Sequence, residues 1–220
     1  MAKVISIHSF RGGTGKSNTT ANVAAVLAAG GARVAIVDTD IQSPGIHVLF
    51  GMDDRPEPTL NDYLWGKVGI RDAAHDVTDR IRRIATVADG GALHLVPSSI
   101  RPGDIARVLR DGYDVAALND GLRTLARELE LDYLFIDTHP GMNEETLLSI
   151  TISDILIVIL RPDRQDFQGT AVTIDVARRL DVPELFIVLN KVPDGVDRED
   201  RKSTRLNSSH IPLSRMPSSA

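Results

Sequence analysis

The sequence predicts an α/β fold, a single doubly wound and mostly parallel sheet with helices on both faces. Three observations carry that expectation. Apolar runs such as "RVAIVD" and "DILIVIL" are continuous rather than alternating, as in strands covered on both faces. These runs alternate along the chain with stretches of helical spacing, the pattern of successive β–α units. A glycine-rich turn joins the first run to the first helix, at the end of a strand where open α/β sheets bind ligands. At 220 residues, 42% hydrophobic and 25% charged, the chain has the length and composition of one soluble domain with a substantial core.

The elements follow in order. "KVISIHSF" is a β-branched strand ending at the glycine-rich turn, and helical spacing runs through "SNTTANVAAVLAAGG", with Ser17 near its start and Gly30–Gly31 as a stop. "RVAIVDTD" is the second strand, continuous in apolar residues from Val34 to Val37. Residues 41–89 are less regular, with turn signals in "DDRPEP" and a short helix around "LNDYLW". "ALHLVPSS" reads as a strand, "DVAALNDGLRTLAREL" as an amphipathic helix, and "LDYLFIDT" as a further buried strand leading to a helix through "NEETLLSIT". "DILIVILRP", the helix "QDFQGTAVTIDVARRL" and the strand "ELFIVLNKV" complete the series. No internal repeat or second domain is visible.

The text changes at residue 201. "RKSTRLNSSHIPLSRMPSSA" holds six serines, four basic residues and no acid, without a period. It resembles translated sequencing-adapter read-through, so the expectation is a C-terminally truncated domain over 1–200 and a non-native or disordered tail over 201–220. Taking the tail's four positive charges from the formal net of −5 leaves −9 for residues 1–200. Such an acidic body argues against coating nucleic acid by net charge, though local patches stay open.

Several classes fall away. The chain has no cysteine, which removes disulfides, thiolate metal sites and cysteine nucleophiles. No apolar run reaches the length of about 18 residues that a membrane span needs. The strand pattern begins by Val4, leaving no room for a secretory signal, so a cytoplasmic protein is expected.

"SFRGGTGKSNTT" is where the chemistry concentrates. Gly12, Gly13 and Gly15 allow the backbone N–H groups to turn inward as an anion nest, and the helix that follows adds its positive N-terminal end. Lys16 is placed to reach β- and γ-phosphates and the Ser17 hydroxyl to bind Mg²⁺, with Thr14 and Asn18 completing the phosphate-binding stretch. The usual loop opens with a glycine, whereas Phe10 and Arg11 stand here.

With that opening the segment resembles the deviant Walker A loop of the MinD/ParA family of P-loop ATPases, K-G-G-x-x-K-[ST]. The resemblance spans about residues 3–195 and implies a P-loop NTPase fold of the SIMIBI type, with ATP and Mg²⁺ as cofactors. It implies that Arg11 stands for the signature lysine, which reaches a dimer partner's nucleotide. Arginine keeps the charge in a longer, planar, bidentate group. "VDTDIQSPG" resembles the family's first switch, where Asp40 would orient the attacking water and Asp38 would organise the Mg²⁺ shell. Two acids after a strand also fit helix capping, and it is the loop beside them that favours the switch. "YLFIDTHPG" resembles the Walker B strand and second switch, usually D-T-P-P-G. Asp137 would then hold Mg²⁺, Gly141 would let the backbone sense the γ-phosphate, and His139 replaces a proline as a loop residue. In "IVLNKV", Asn190 would bond the adenine edge and Lys191 would flank the base. "RPDRQDFQG" borders the nucleotide and the dimer face in the family, with Asp163 and Arg164 either contacts there or solvated charges.

The function implied is a slow ATPase switch that forms an ATP-dependent homodimer, is stimulated by an activating partner protein, and positions division machinery, plasmid, chromosome or other cargo. Peripheral attachment to a membrane or to nucleoid DNA both stay open, since the clusters at Arg80, Arg82 and Arg83 and at Arg178–Arg179 fit solvated helix faces as well as DNA contacts. A regulatory ATP-binding module docking on a secretion, flagellar or polysaccharide complex is the alternative, and a ligase or kinase resembling dethiobiotin synthetase a third. The missing cysteine sets aside the superfamily's iron–sulfur carriers and nitrogenase iron proteins.

Overall fold

The computed structural model describes residues 2–52, 56–193 and 213–214. Its sheet holds β1 (Lys3–His8), β2 (Arg33–Asp38), β3 (His75–Asp76), β4 (Ala92–Val96), β5 (Tyr133–Asp137), β6 (Ile155–Leu160), β7 (Glu184–Leu189) and β8 (Leu213–Ser214). The spatial order is β3-β4-β2-β5-β1-β6-β7-β8. Every pairing is parallel except that of the two-residue edge strand β3 with β4. The doubly wound sheet that the sequence predicts is therefore present. Of the expected tail, only 213–214 is described, as the backbone of β8; the rest lies outside the described residues.

Strand residues alternate between two cores, which explains why the runs are apolar throughout. Val34 and Ile36 join Ile5, Ile7, Leu93, Leu95 and Phe135 on one face. Ala35 and Val37 join Val96, Leu134 and Ile136 on the other. The first face is covered by α1 (Lys16–Ala29), α2 (Ile46–Leu49) and α4 (Thr78–Arg82), with Ala21, Ala24, Ala28, Ile46 and Ile81 buried. The second takes α3 (Leu60–Leu64) and α6 (Val115–Glu128), through Leu60, Leu118, Leu122 and Leu125. α5 (Pro102–Asp111) follows β4, while α7 (Glu144–Thr151) and α8 (Arg164–Arg179) flank β6. Ile150, Leu156, Val158 and Ala177 pack together there.

The irregular stretch 41–89 resolves into α2, α3, α4 and β3, of which the sequence marks only α3. That helix starts with a reciprocal cap, the Thr59 side chain accepting from Asp62 N–H while the Asp62 carboxylate accepts from Thr59 N–H. α2, α4 and β3 are five residues or fewer, too short for a period to show. α5 is likewise unmarked in the sequence. It begins with Pro102 in its first turn, and Val108 is its one buried residue, so its apolar face is narrow.

A candidate nucleotide site at the ends of β1, β2 and β5

β1 lies between β5 and β6, and β5 lies between β1 and β2. Ile7 pairs with Asp137 and Asp38 with Asp137, so the carboxyl ends of three strands stand side by side. That brings together groups about 100 residues apart in the chain.

The glycine-rich loop rises from β1 into α1. Gly13 and Gly15 take φ of +74° and +97°, a region side chains disfavour. Gly15 is doubly constrained, because a Cβ there would meet the Asn190 amide, drawn in by the bond from Asn190 Nδ2 to the Thr14 carbonyl at 2.9 Å. Lys191 Nζ donates to the Gly13 carbonyl at 2.8 Å. The two residues expected to contact the base thus also brace the phosphate loop. α1 has no side-chain cap, so no capping side chain occupies its first N–H groups, at the positive end of the helix that follows the loop. Ser17 is half-buried and Asn18, Gly12 and Gly13 are exposed.

Phe10 has a structural answer. Its ring packs on α8 at Gly169, where a Cβ would run into it. Arg11 is half-buried beside it, with Nη1 3.7 Å from both Asp163 Oδ1 and Asp166 Oδ1. Asp163 also caps α8, accepting from the N–H groups of Gln165 and Asp166 at 3.1 and 2.9 Å, whereas Arg164 is exposed. Asp166 is buried and accepts from Arg161 N–H and Nε at 2.9 and 3.1 Å.

Lys16 sits below the loop, 7% exposed, and donates from Nζ to Asp137 Oδ1 at 3.0 Å, with Asp40 Oδ2 at 3.8 Å. Thr20 Oγ1 lies 3.2 Å from the same Asp137 oxygen. Asp38 Oδ1 accepts from Asp40 N–H at 3.0 Å, but Asp38 Oδ2 is buried without a hydrogen bond among the described residues. Burial, and then the neighbouring Asp137 charge, push the Asp38 carboxyl well above the usual carboxylate range. Three buried carboxyl groups beside one ammonium, one of them with an unused oxygen and its charged form disfavoured, are a setting that a bound cation would relieve.

The unused Asp38 oxygen beside Asp137 fits a magnesium ion, and Ser17, half-buried at the start of α1, is the third donor expected for it. Among the described residues no three His, Cys, Asp or Glu side chains form a metal cage of their own. A magnesium ion bound alongside phosphates takes only one or two carboxylates from the protein, so the two observations agree.

His139 lies in the loop after β5, as expected, and makes a contact that the sequence does not show. Expected as a plain loop residue, it places Nδ1 2.6 Å from Asp40 Oδ1. The departure from D-T-P-P-G was the visible signal, but only the pairing of β2 and β5 as neighbouring strands shows what it touches. Gly141 takes φ of +91° and its N–H donates to the Ser9 carbonyl at 3.2 Å, pinning this loop against the one after β1. The basic residues Arg80, Arg82, Arg83, Arg178 and Arg179 are all exposed, with Arg82 paired to Asp79 and Arg179 to Asp175.

A parallel sheet whose first strand feeds such a loop and buried lysine defines a P-loop nucleotide-binding protein. A family profile described as an AAA domain matches residues 2–182, and the chain belongs to that AAA_31 family, within the MinD/ParA class of P-loop ATPases. An uncharacterized ATP-binding protein of Methanocaldococcus jannaschii is 30% identical over 192 residues, covering 87% of this chain and 65% of the relative. The iron-sulfur cluster carrier protein of Pseudomonas fragi is 28% identical, over 85% of this chain and 59% of its own. This chain thus spans from 59% to 65% of the length of these two relatives. The iron–sulfur carriers that the missing cysteine set aside are therefore among its relatives, although these 220 residues supply no thiolate. In fold, the chain matches the septum site-determining protein MinD of Pyrococcus horikoshii, solved with Mg-ADP, at a TM-score of 0.77 and 22% identity, over 99% of this chain and 82% of that one. Among the described residues no helix is long and apolar enough to cross a membrane.

Proposed function

We propose that the chain is an ATP-binding and ATP-hydrolysing switch that dimerises with Mg·ATP, turns over slowly until an activating protein meets it, and positions cellular cargo. The observation that carries this reading is the buried Lys16 ammonium held between Asp137 and Asp40, with Asp38 paired to Asp137 on the next strand, at the foot of the braced glycine-rich loop. In that reading the loop N–H groups and Lys16 bind the phosphates, and the ammonium leaves Asp137 for the incoming charge. Ser17, Asp38 and Asp137 hold Mg²⁺, which neutralises charge on the phosphate oxygens. Asp40 orients the attacking water and Asn190 and Lys191 border the base. Arg11 crosses to the partner's nucleotide. Such a reaction depends on positioning and charge stabilisation, and those groups are enough for slow turnover. The surface on which the switch works, membrane or nucleoid, is part of the same proposal and is decided by vesicle and DNA co-sedimentation.

The pairing of Arg11 with Asp163 and Asp166 within one chain favours a second reading, a regulatory ATP-binding module in which Arg11 stays at home. Light scattering separates the two. With Mg·ATP the full chain should double in mass, Asp40→Ala should trap the dimer, and Arg11→Ala should abolish it. A chain that binds ATP at unchanged mass, with turnover indifferent to Arg11→Ala, refutes the switch and leaves the module.

A further inference from the structure

The two oxygens of Asp40 have unequal surroundings. Oδ1 accepts from the Ser43 hydroxyl at 2.8 Å and the Ser43 N–H at 3.2 Å, and lies 2.6 Å from His139 Nδ1. A carboxylate can only accept, so the ring nitrogen that meets it carries the proton. Three donors saturate Oδ1, while Oδ2 turns toward Lys16 Nζ at 3.8 Å.

Ser43 belongs to the same loop as Asp40 and moves with it. His139 reaches in from the loop after β5, on a backbone fastened at several points. Thr138 Oγ1 donates to the Ile7 carbonyl at 3.0 Å, Thr146 Oγ1 to the His139 carbonyl at 3.4 Å, and Gly141 N–H to the Ser9 carbonyl at 3.2 Å. The imidazole therefore stands on a support tied to β1 and to α7. The proline usual at this place in the resembled pattern has no such donor.

We infer that His139 is a positioning residue that clamps Asp40, joining the loop after β2 to the loop after β5 and presenting Oδ2 as the acceptor for the attacking water. The inference rests on the reading of Asp40 as the water-orienting group. A short bond from a charged acceptor to a neighbouring loop fixes the carboxylate rotamer, and rates are sensitive to misplacement on the scale of an ångström.

The test compares full-length wild type, His139→Ala and His139→Asn in steady-state ATP hydrolysis, with nucleotide affinity measured separately by a fluorescent ATP analogue. His139→Ala should lower kcat roughly ten- to a hundredfold and leave affinity unchanged. His139→Asn, whose amide can donate to the same oxygen, should recover most of the loss. An unchanged kcat in His139→Ala overturns the inference. So does a joint fall in kcat and affinity that asparagine does not rescue, since that pattern marks a merely structural residue. A wild type that binds ATP without hydrolysing it removes the ATPase reading, and the clamp is then decided by the His139 ring N–H proton in ¹⁵N-labelled protein. Loss of that resonance in Asp40→Ala supports the clamp, and an identical spectrum in both proteins overturns it.

Discussion

His8 should make the nucleotide-free protein lose stability below neutral pH, and the size of the loss follows from its surroundings. The side chain is fully buried at the end of β1, with Nδ1 2.8 Å from Thr138 Oγ1 and Nε2 without a hydrogen bond among the described residues. Burial first, then the Lys16 charge and His139, hold its pKa at about 3, against 6.5 for the free side chain. The folded state refuses a proton that the unfolded chain accepts. Its stabilising contribution is thus complete above pH 6.5 and is lost as the pH falls from there toward 3. One pH unit well inside that window costs about 1.4 kcal/mol, and going from about pH 7 to about pH 5 costs about 2 kcal/mol from this group alone. Urea unfolding at the two pH values measures it, and His8→Asn supplies the control, because asparagine is neutral throughout. The variant starts less stable, having lost ring volume, but its pH dependence should be smaller than the wild type's by that about 2 kcal/mol. Equal losses in the two proteins would refute the reasoning, since they would mean that His8 takes up its proton in the folded state at little cost.

Asp38→Asn keeps the oxygen that accepts from Asp40 N–H and replaces a buried carboxyl whose charged form burial and the neighbouring Asp137 disfavour. It should raise the stability of the nucleotide-free protein by about 1 kcal/mol or more while removing the Mg²⁺ dependence of nucleotide affinity, as thermal unfolding and a magnesium titration would show. Gly169→Ala should destabilise by about 1–3 kcal/mol by driving a Cβ into the Phe10 ring, and Phe10→Leu in the same chain should recover part of it. A thermal melt of the two variants checks this, and an unperturbed Gly169→Ala would show that the ring does not need that gap.

The sheet was legible because strands buried on both faces must be apolar at every position, and "RVAIVD" and "ILIVIL" satisfy that without ambiguity. Lys16, Ser17, Asp38, Asp40 and Asp137 stand out as candidates in local text, the first two opening the helix after the glycine-rich loop and the acids at or just past the ends of two strands. Structure changes the partners rather than the places. Asn190 and Lys191 bond to loop carbonyls, and Arg11 pairs with Asp163 and Asp166 in its own chain. His139 and Gly169 were not legible in role. His139 touches a residue 99 positions away, and Gly169 resembles any other helical glycine until Phe10 is seen against it. α2 and α4 escaped because about one helical turn carries too few residues to show a period.

The brace between Asn190 and Thr14 spans 176 residues, and it fixes an order of events during synthesis. β1 emerges first, yet its two neighbours are β5 and β6, so more than 120 residues must follow before it has a strand to pair with. The phosphate loop gains its last fastening only when the end of β7 arrives. A ribosome-bound chain thus carries every motif residue of the loop long before it owns a loop of fixed shape. ATP affinity should therefore appear abruptly, late in translation, as a sign that the domain has closed.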